Sequence, residues 1–297
     1  MNQENLCRLC PRKCGVNRSI YTGRCGVSNR VTLARAALHF WEEPCISGEN
    51  GSGTVFFSGC PLGCVFCQNH DISSGHFGKE ISIQRLAEIF LELQAQNANN
   101  INLVTGGHYI PQIIEALDLV RDKLHIPVVY NSSGYETVEA LKMLRGYVDI
   151  YLPDLKFMSS QCSARYCAAP DYFEVASKAV LEMFSQVGPA QFDDNDMMTK
   201  GMIVRHLVMP GNVEDSMDIL TWISENLPLD DILVSLMSQY TPFYRSHEFP
   251  EIDRRLTAEE YDRVLDWMDC MGIEEGFVQE LSSAKEEYTP DFSLQGV

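Results

Sequence analysis

Positive charge is scarce in this chain of 297 residues. Only 23 Lys and Arg stand against 41 Asp and Glu, for a formal net charge of −18. Binding of nucleic acid rests on Lys and Arg neutralising phosphates, so this balance excludes an electrostatic grip on DNA or RNA. No apolar run is long enough to span a bilayer, and the polar opening Met1-Asn2-Gln3-Glu4-Asn5 does not read as a secretory signal. Low-complexity stretches are few, and 45% of the residues are hydrophobic, as in a globular chain able to bury a full core. A cytoplasmic protein with small-molecule or protein partners is expected, with neither nucleic acid nor membrane among them.

What the chain has in excess is cysteine. Of the 11 cysteines, seven fall in two tight groups, which points to metal in a reducing compartment rather than to a disulfide frame. One group, Cys60, Cys64 and Cys67, lies in GCPLGCVFCQN, directly after the β-branched and aromatic run Thr54-Val55-Phe56-Phe57. Soft thiolates select iron–sulfur or zinc over hard cations. A cubane 4Fe–4S cluster normally takes four cysteines, so three leave one iron open to an outside ligand. Gly59, Gly63 and Pro61 let the backbone curl around an inorganic core. Taken alone, the triplet is also compatible with a structural zinc knuckle.

Strands and helices alternate along the chain. Candidate strands fall at 54–58, 101–105, 126–130, 147–152, 201–208 and 231–237, short apolar runs of the kind that parallel strands covered on both faces produce. Apolar stripes at helical spacing lie between them: Ile83 to Leu93, Ile110 to Val120, and Val213 to Ile223 with Asn212 as its cap. The stretch 159–187 reads as two helices, followed by a mobile acidic loop around Asp193-Asp194-Asn195-Asp196. Six βα units in series predict an α/β fold, an open partial (β/α)6 barrel of parallel strands with right-handed crossovers. Active sites of such sheets lie at the carboxyl ends of the strands. Here each exit carries small or polar residues: the cysteine triplet, Thr105-Gly106-Gly107-His108, Asn131-Ser132-Ser133-Gly134, Asp154 and Lys156, Arg205 and His206, and Ser238-Gln239-Tyr240. A glycine pair also punctuates ordinary turns. Asp154 and Lys156 alternate on an extended segment and so point the same way, as a site or as a surface ion pair. Of the neighbours Arg205 and His206 only one faces the barrel interior, and a buried Arg is rarely unpaired.

The Cys-x3-Cys-x2-Cys spacing, the run Cys67-Gln68-Asn69 and the stretch DIYLPDLK resemble the radical S-adenosylmethionine (SAM) superfamily. Within it they resemble the activating enzymes of pyruvate formate-lyase and related glycyl-radical enzymes, in a subgroup with an extra N-terminal cysteine module. The likeness covers 54–240 best. It implies a 4Fe–4S cluster on Cys60, Cys64 and Cys67 whose open iron takes the amino and carboxylate groups of SAM. It implies an oxidoreductase that cleaves SAM reductively to a 5′-deoxyadenosyl radical and takes hydrogen from a substrate, which a glycyl-radical enzyme would supply as a protein partner. The electron would come from flavodoxin or ferredoxin. By the same resemblance the SAM pocket comprises Thr105, Gly106 and Gly107, with Ser133. Asp154 would meet the ribose, Lys156 and Arg205 the carboxylate, and Gln239 the adenine. His108 stands where the family has Glu, and His206 is left as a structural histidine. Asn131, Ser132, Asp154 and the Leu152 carbonyl resemble a monovalent-cation site of that family.

The second cysteine group, Cys7, Cys10, Cys14 and Cys25, can close a four-ligand site completely, as structural zinc or a second iron–sulfur cluster. A short module with little core would take folding energy from such a metal. Cys45, Cys162, Cys167 and Cys270 are expected to be buried apolar residues. A capping box of Thr257 and Glu260 opens a C-terminal helix. The expected organisation is an N-terminal metal-binding module at 1–53, the partial barrel at 54–240 and a helical C-terminal extension at 241–297. The rival class is a non-enzymatic iron–sulfur electron carrier or a zinc-stabilised adaptor.

Overall fold

A computed structural model describes residues 6–280 and 290–297. Ten strands form a mostly parallel sheet: β1 (Thr32–His39), β2 (Ser52–Phe57), β3 (Lys79–Glu80), β4 (Ile101–Val104), β5 (Val128–Ser132), β6 (Ile150–Pro153), β7 (Gln191–Phe192), β8 (Met198–Leu207), β9 (Leu233–Met237) and β10 (Gly276–Val278). The helices are α1 (Pro44–Ser47), α2 (His70–Ser73), α3 (Ile83–Ala95), α4 (Ile110–Val120), α5 (Val138–Met143), α6 (Ser160–Cys167), α7 (Tyr172–Val187), α8 (Val213–Asn226) and α9 (Ala258–Cys270). The strand order is β10-β9-β8-β6-β5-β4-β2-β1-β3, with β7 paired to β8 off this path. Pairing is parallel from β2 through β4, β5, β6, β8 and β9 to β10, whereas β1 is antiparallel to β2 and β3. The sheet is therefore an open partial barrel whose six expected strands are all present and are joined by β10 as a seventh parallel one. Among the described residues, no helix is long and apolar enough to cross a membrane.

The period-2 alternation of strands explains why polar groups gather at one end. On the inner face Val129, Ile150, Leu152, Ile203 and Leu233 form an apolar floor that α1 plugs with Cys45 and Ile46. Two residues further along the same faces come Asn131, Asp154 and Arg205. The opposite faces, with Tyr130, Tyr151, Met202, Val204 and Val234, pack in the large core with the helices. His206 falls on that outer side. It is 1% exposed and bonds the Leu155 carbonyl (2.6 Å) and Ser216 Oγ on α8 (2.8 Å).

Several local expectations are corrected. Asn212 does not cap α8 with its side chain, which instead donates to the Pro210 carbonyl. The acidic loop forms the hairpin turn between β7 and β8, in which Asp193 Oδ1 accepts the Asn195 and Met197 N–H groups. Cys45 and Cys167 are buried as expected, but Cys162 is half-buried against Asn212 Oδ1 and Cys270, at the end of α9, is exposed. The Thr257–Glu260 capping box is formed.

Residues 6–31 make turns rather than regular elements and lie against the barrel. Thr137 Oγ1 donates to the Leu9 carbonyl (2.8 Å), Arg12 Nε to the Pro61 carbonyl (2.8 Å), and Arg18 to the His108 carbonyl. At the other terminus, residues 290–297 run along β1, where Ala36 N donates to Gln295 O and Leu294 N to Ala34 O.

Candidate functional site

A cavity of about 260 Å³ opens at the carboxyl ends of the parallel strands. The loop after β2 forms one wall. Gly59 has φ +87°, and a Cβ there would lie 2.5 Å from the Cys25 carbonyl oxygen, so this position requires glycine. The loop then turns at Cys64–Cys67 and is tied to the end of α6 by Gly63 N–H to Cys167 O (3.2 Å) and Val65 N–H to Tyr166 O (2.9 Å). Cys60, Cys64 and Cys67 all line the cavity. Burial and the neighbouring sulfurs push the Cys60 thiol up, burial and Cys64 push Cys67 up to about 11, and a contact with Cys167 followed by burial raises Cys64. Three such thiols stay protonated until a metal displaces their protons.

Lys156 faces them. Burial opposes its charge, but Asp154 at 2.6 Å, together with the Cys64 sulfur, outweighs burial and holds the ammonium protonated. Burial likewise disfavours the Asp154 carboxylate, but Arg205 and Lys156 hold it below its ordinary range. Arg205 Nε donates to Asp154 Oδ1 (3.0 Å), Nη2 to Asn131 Oδ1 (2.6 Å) and Nη1 to Glu42 (3.2 Å), with Nη2 ion-paired to Asp154 at 2.9 Å. Each of its three nitrogens thus donates to a protein oxygen, and the side chain also lines the cavity. The Tyr172 hydroxyl lies 2.8 Å from both the Ser133 and Asp154 carbonyls and accepts the Lys156 N–H (3.0 Å), fixing the β5 and β6 exits relative to one another.

Thr105 also lines the cavity, with φ +60°, a costly conformation for a β-branched residue that is held by its N–H bond to the Asn131 carbonyl (2.9 Å). Ser133 and Gln239 complete the wall among the residues expected. Gly106 and Gly107 do not line it. A Cβ on Gly106 would meet Ile113 Cδ1 at 2.7 Å, and one on Gly107 would strike the Glu136 carboxylate, so both glycines are closely packed from behind the strand exit. His108 is 2% exposed with Nε2 2.8 Å from the Ser58 carbonyl, and burial lowers it to about 3. It is a neutral packed ring rather than a substitute for a carboxylate. Of the expected cation ligands, Asn131 and Asp154 face the cavity, but Arg205 sits between their oxygens.

Glu42 is the residue that the sequence did not single out. It follows β1, reaches across to accept from Asn102 and Asn131 (3.3 Å each) and pairs with Arg205. Burial is the main cause that pushes its carboxyl up to about 7, against the pull of Arg205. Its only linear signal is a charged pair, Glu42-Glu43, before the Pro44 that opens α1.

The four N-terminal cysteines lie apart from the cavity, behind the cluster loop. Cys10 is buried, which raises it to about 11, and it feels Glu136, Cys25 and Cys7. The sulfurs of Cys14 and Cys25 both lie against Gly23. Among the described residues, no three Cys, His, Asp or Glu side chains converge tightly enough to grip a single metal ion. At the Cys60–Cys67 loop, three soft donors beside a fixed ammonium fit a multi-iron cluster, which spreads its ligands wider than one ion does.

The family model described as the Radical SAM superfamily matches residues 54–223. An uncharacterized protein of Methanocaldococcus jannaschii is 35% identical over 272 residues, covering 88% of this chain and 73% of that one. Among solved structures, Streptococcus suis SuiB bound to S-adenosylmethionine aligns over 77% of this chain and 50% of its own, with 12% identity and a TM-score of 0.49. HydG, a maturase of the [FeFe]-hydrogenase, aligns over 74% of this chain and 48% of its own, also with 12% identity and a TM-score of 0.49. The chain spans about half the length of these solved chains.

Proposed function

The chain belongs to the radical SAM superfamily, and on that premise we propose that it takes a hydrogen atom from a glycine of a protein substrate, as an activating enzyme for a glycyl-radical enzyme. The family implies a 4Fe–4S cluster and SAM, and Cys60, Cys64 and Cys67 are the residues that would hold the cluster. When bound there, the cluster would supply the one-electron reductive cleavage of SAM on which the hydrogen abstraction depends. Flavodoxin or ferredoxin is the reductant in this reading.

The chain's own contribution is placement. Lys156 offers a fixed ammonium to the SAM carboxylate, and Thr105, Ser133 and Gln239 offer polar contacts along the same wall. Asp154 anchors Lys156 and leaves its remaining oxygen capacity for ribose hydroxyls. Arg205 braces Asp154 and Asn131 and, lining the same cavity, would offer its remaining N–H groups to the SAM carboxylate. The N-terminal Cys7, Cys10, Cys14 and Cys25 are spaced wider here than a single ion would hold them, and would have to close up on zinc or a second cluster to staple the module to the barrel. Localisation in the cytoplasm fits the reduced thiols this chemistry needs.

The observation that carries the reading is the convergence of three loop thiols and the Lys156–Asp154–Arg205 network on one cavity. Support for a glycyl-radical partner is the likeness of Cys67-Gln68-Asn69 and DIYLPDLK to the activating enzymes. The test is anaerobic reconstitution. Four irons at the loop, an EPR signal that changes on adding SAM, and 5′-deoxyadenosine on reduction are expected, whereas a SAM-insensitive signal would favour an electron carrier. For the substrate, a glycyl-radical protein labelled with deuterium at glycine Cα should pass deuterium into 5′-deoxyadenosine. Unlabelled product would remove that assignment.

A further inference from the structure

Cys167, at the last turn of α6, is 103 positions from the loop cysteine it touches. Its Sγ lies 3.1 Å from Cys64 Sγ. Cys167 itself is 0% exposed. Two backbone bonds lock the pair: Gly63 N–H to Cys167 O (3.2 Å) and Val65 N–H to Tyr166 O (2.9 Å) bracket Cys64 on both sides. Ala168, in the left-handed region with φ +53°, ends α6 at this point and keeps the two carbonyls available. The contact is therefore built into the scaffold and shielded from water.

When Cys64 is a thiolate ligand it has no proton to give, so Cys167 is the partner able to donate. We propose that the Cys167 thiol donates an S–H···S hydrogen bond to the Cys64 thiolate and raises the reduction potential of the cluster held at Cys60, Cys64 and Cys67. A reduced cluster carries more negative charge on its sulfurs, and a donor to one of them stabilises that state more than the oxidised one. Cys167 is in this account a positioning and tuning residue and never an iron ligand. The inference rests on the cluster reading above.

The experiment compares the anaerobically reconstituted full chain with Cys167→Ala and the near-isosteric Cys167→Ser. EPR-monitored redox titration, iron content and vibrational spectra in H2O and D2O are recorded for each. All three proteins should hold four irons at the loop. Cys167→Ala should lower the reduction equilibrium roughly tenfold, about 59 mV for one electron, and Cys167→Ser, which keeps a donor, should fall between. In wild type reconstituted in D2O, an Fe–S(Cys) stretching band should shift, and the shift should be absent in Cys167→Ala. An unchanged potential in Cys167→Ala with full iron content overturns the inference alone. Loss of iron in both variants also overturns it, because Cys167 would then be a ligand. A wild-type chain that assembles no SAM-responsive cluster overturns the cluster reading, and this inference with it.

Discussion

Arg205→Ala is the perturbation that most directly probes how the site is held. The guanidinium sits between two carboxylates, Asp154 at 2.9 Å and Glu42 at 3.2 Å, and bonds Asn131 Oδ1 at 2.6 Å. The three side chains of the ion network are only 11–15% exposed, so water does little to compensate for a lost partner. Removing one member of a buried ion pair costs about 3–5 kcal/mol, mostly as the penalty of the charge left behind. Asp154 keeps Lys156 and Glu42 keeps two amide donors, which puts the expected loss near the lower limit, about 3 kcal/mol. Arg205→Lys keeps the charge but not the fork, and should recover about half of that loss. Glu42→Gln removes one anion while retaining an acceptor, so it should cost about 1 kcal/mol. In the double variant the two effects should fall short of additivity by about 1–2 kcal/mol, because the anion that Arg205→Ala strands is gone. Urea unfolding of wild type and the four variants at pH 7.5 measures each quantity. A loss under about 1 kcal/mol for Arg205→Ala, or full additivity with Glu42→Gln, would refute the claim that this network is what sets the cavity wall.

Lys156→Ala should weaken SAM binding roughly tenfold to a hundredfold by calorimetric titration, with iron content unchanged. Equal affinity would reduce Lys156 and Asp154 to an internal ion pair. Replacing Cys7 and Cys10 by Ala should lower thermal stability while SAM-dependent EPR changes at the loop cluster persist; loss of those changes in folded protein would place the N-terminal group on the electron path. His206 bears on acid stability: burial lowers it to about 4, so between pH 6.5 and 4 the unfolded chain binds the extra proton and stability falls as pH falls. From pH 7.5 to 5 that amounts to roughly 2 kcal/mol, and the urea midpoint of His206→Gln should show a correspondingly flatter slope, an unchanged slope counting against the assignment.

The parallel strands were legible because each is buried on both faces and reads as an uninterrupted apolar run, as INLV of β4 and IYLP of β6 do. Four strands, β1, β3, β7 and β10, were not. The sequence of β1, TLARAALH, is rich in residues that favour helix, and its antiparallel pairing with β2 overrides that preference. Strand β10 has only three residues and exists through its pairing with β9. The cavity residues contributed by strand exits, from Thr105 to Gln239, could be named in advance because a parallel sheet gathers its exits at one end. Gly106 and Gly107 could not be separated from that set by sequence. Their role depends on Ile113 and Glu136, which approach from the helix side. Nothing in the linear sequence names the partners of Glu42 and Cys167, since each meets its partner only after the chain has closed, across 163 and 103 positions respectively.

The charge pattern separates an enzyme of this family from a simple carrier of electrons. A carrier has no use for a water-accessible cavity beside its cluster, nor for buried cations held there against the cost of desolvation. Here Lys156 and Arg205 are retained inside the barrel only because Asp154 and Glu42 neutralise them, and the fold devotes the inner faces of β5, β6 and β8 and the segment after β1 to that balance. Such an arrangement pre-orients one ammonium toward the cavity, with Asp154 fixing Lys156 directly and Glu42 holding Arg205 behind it. An anionic group entering beside the thiols meets a positive charge whose position is already set, so little reorganisation accompanies binding. Removing one carboxylate from the network without emptying the cavity, as Asp154→Asn would, should leave cluster assembly intact and weaken SAM binding by less than Lys156→Ala does. The same calorimetric series decides it, and a larger loss for Asp154→Asn than for Lys156→Ala would show that the carboxylate, not the ammonium, is the group the ligand meets.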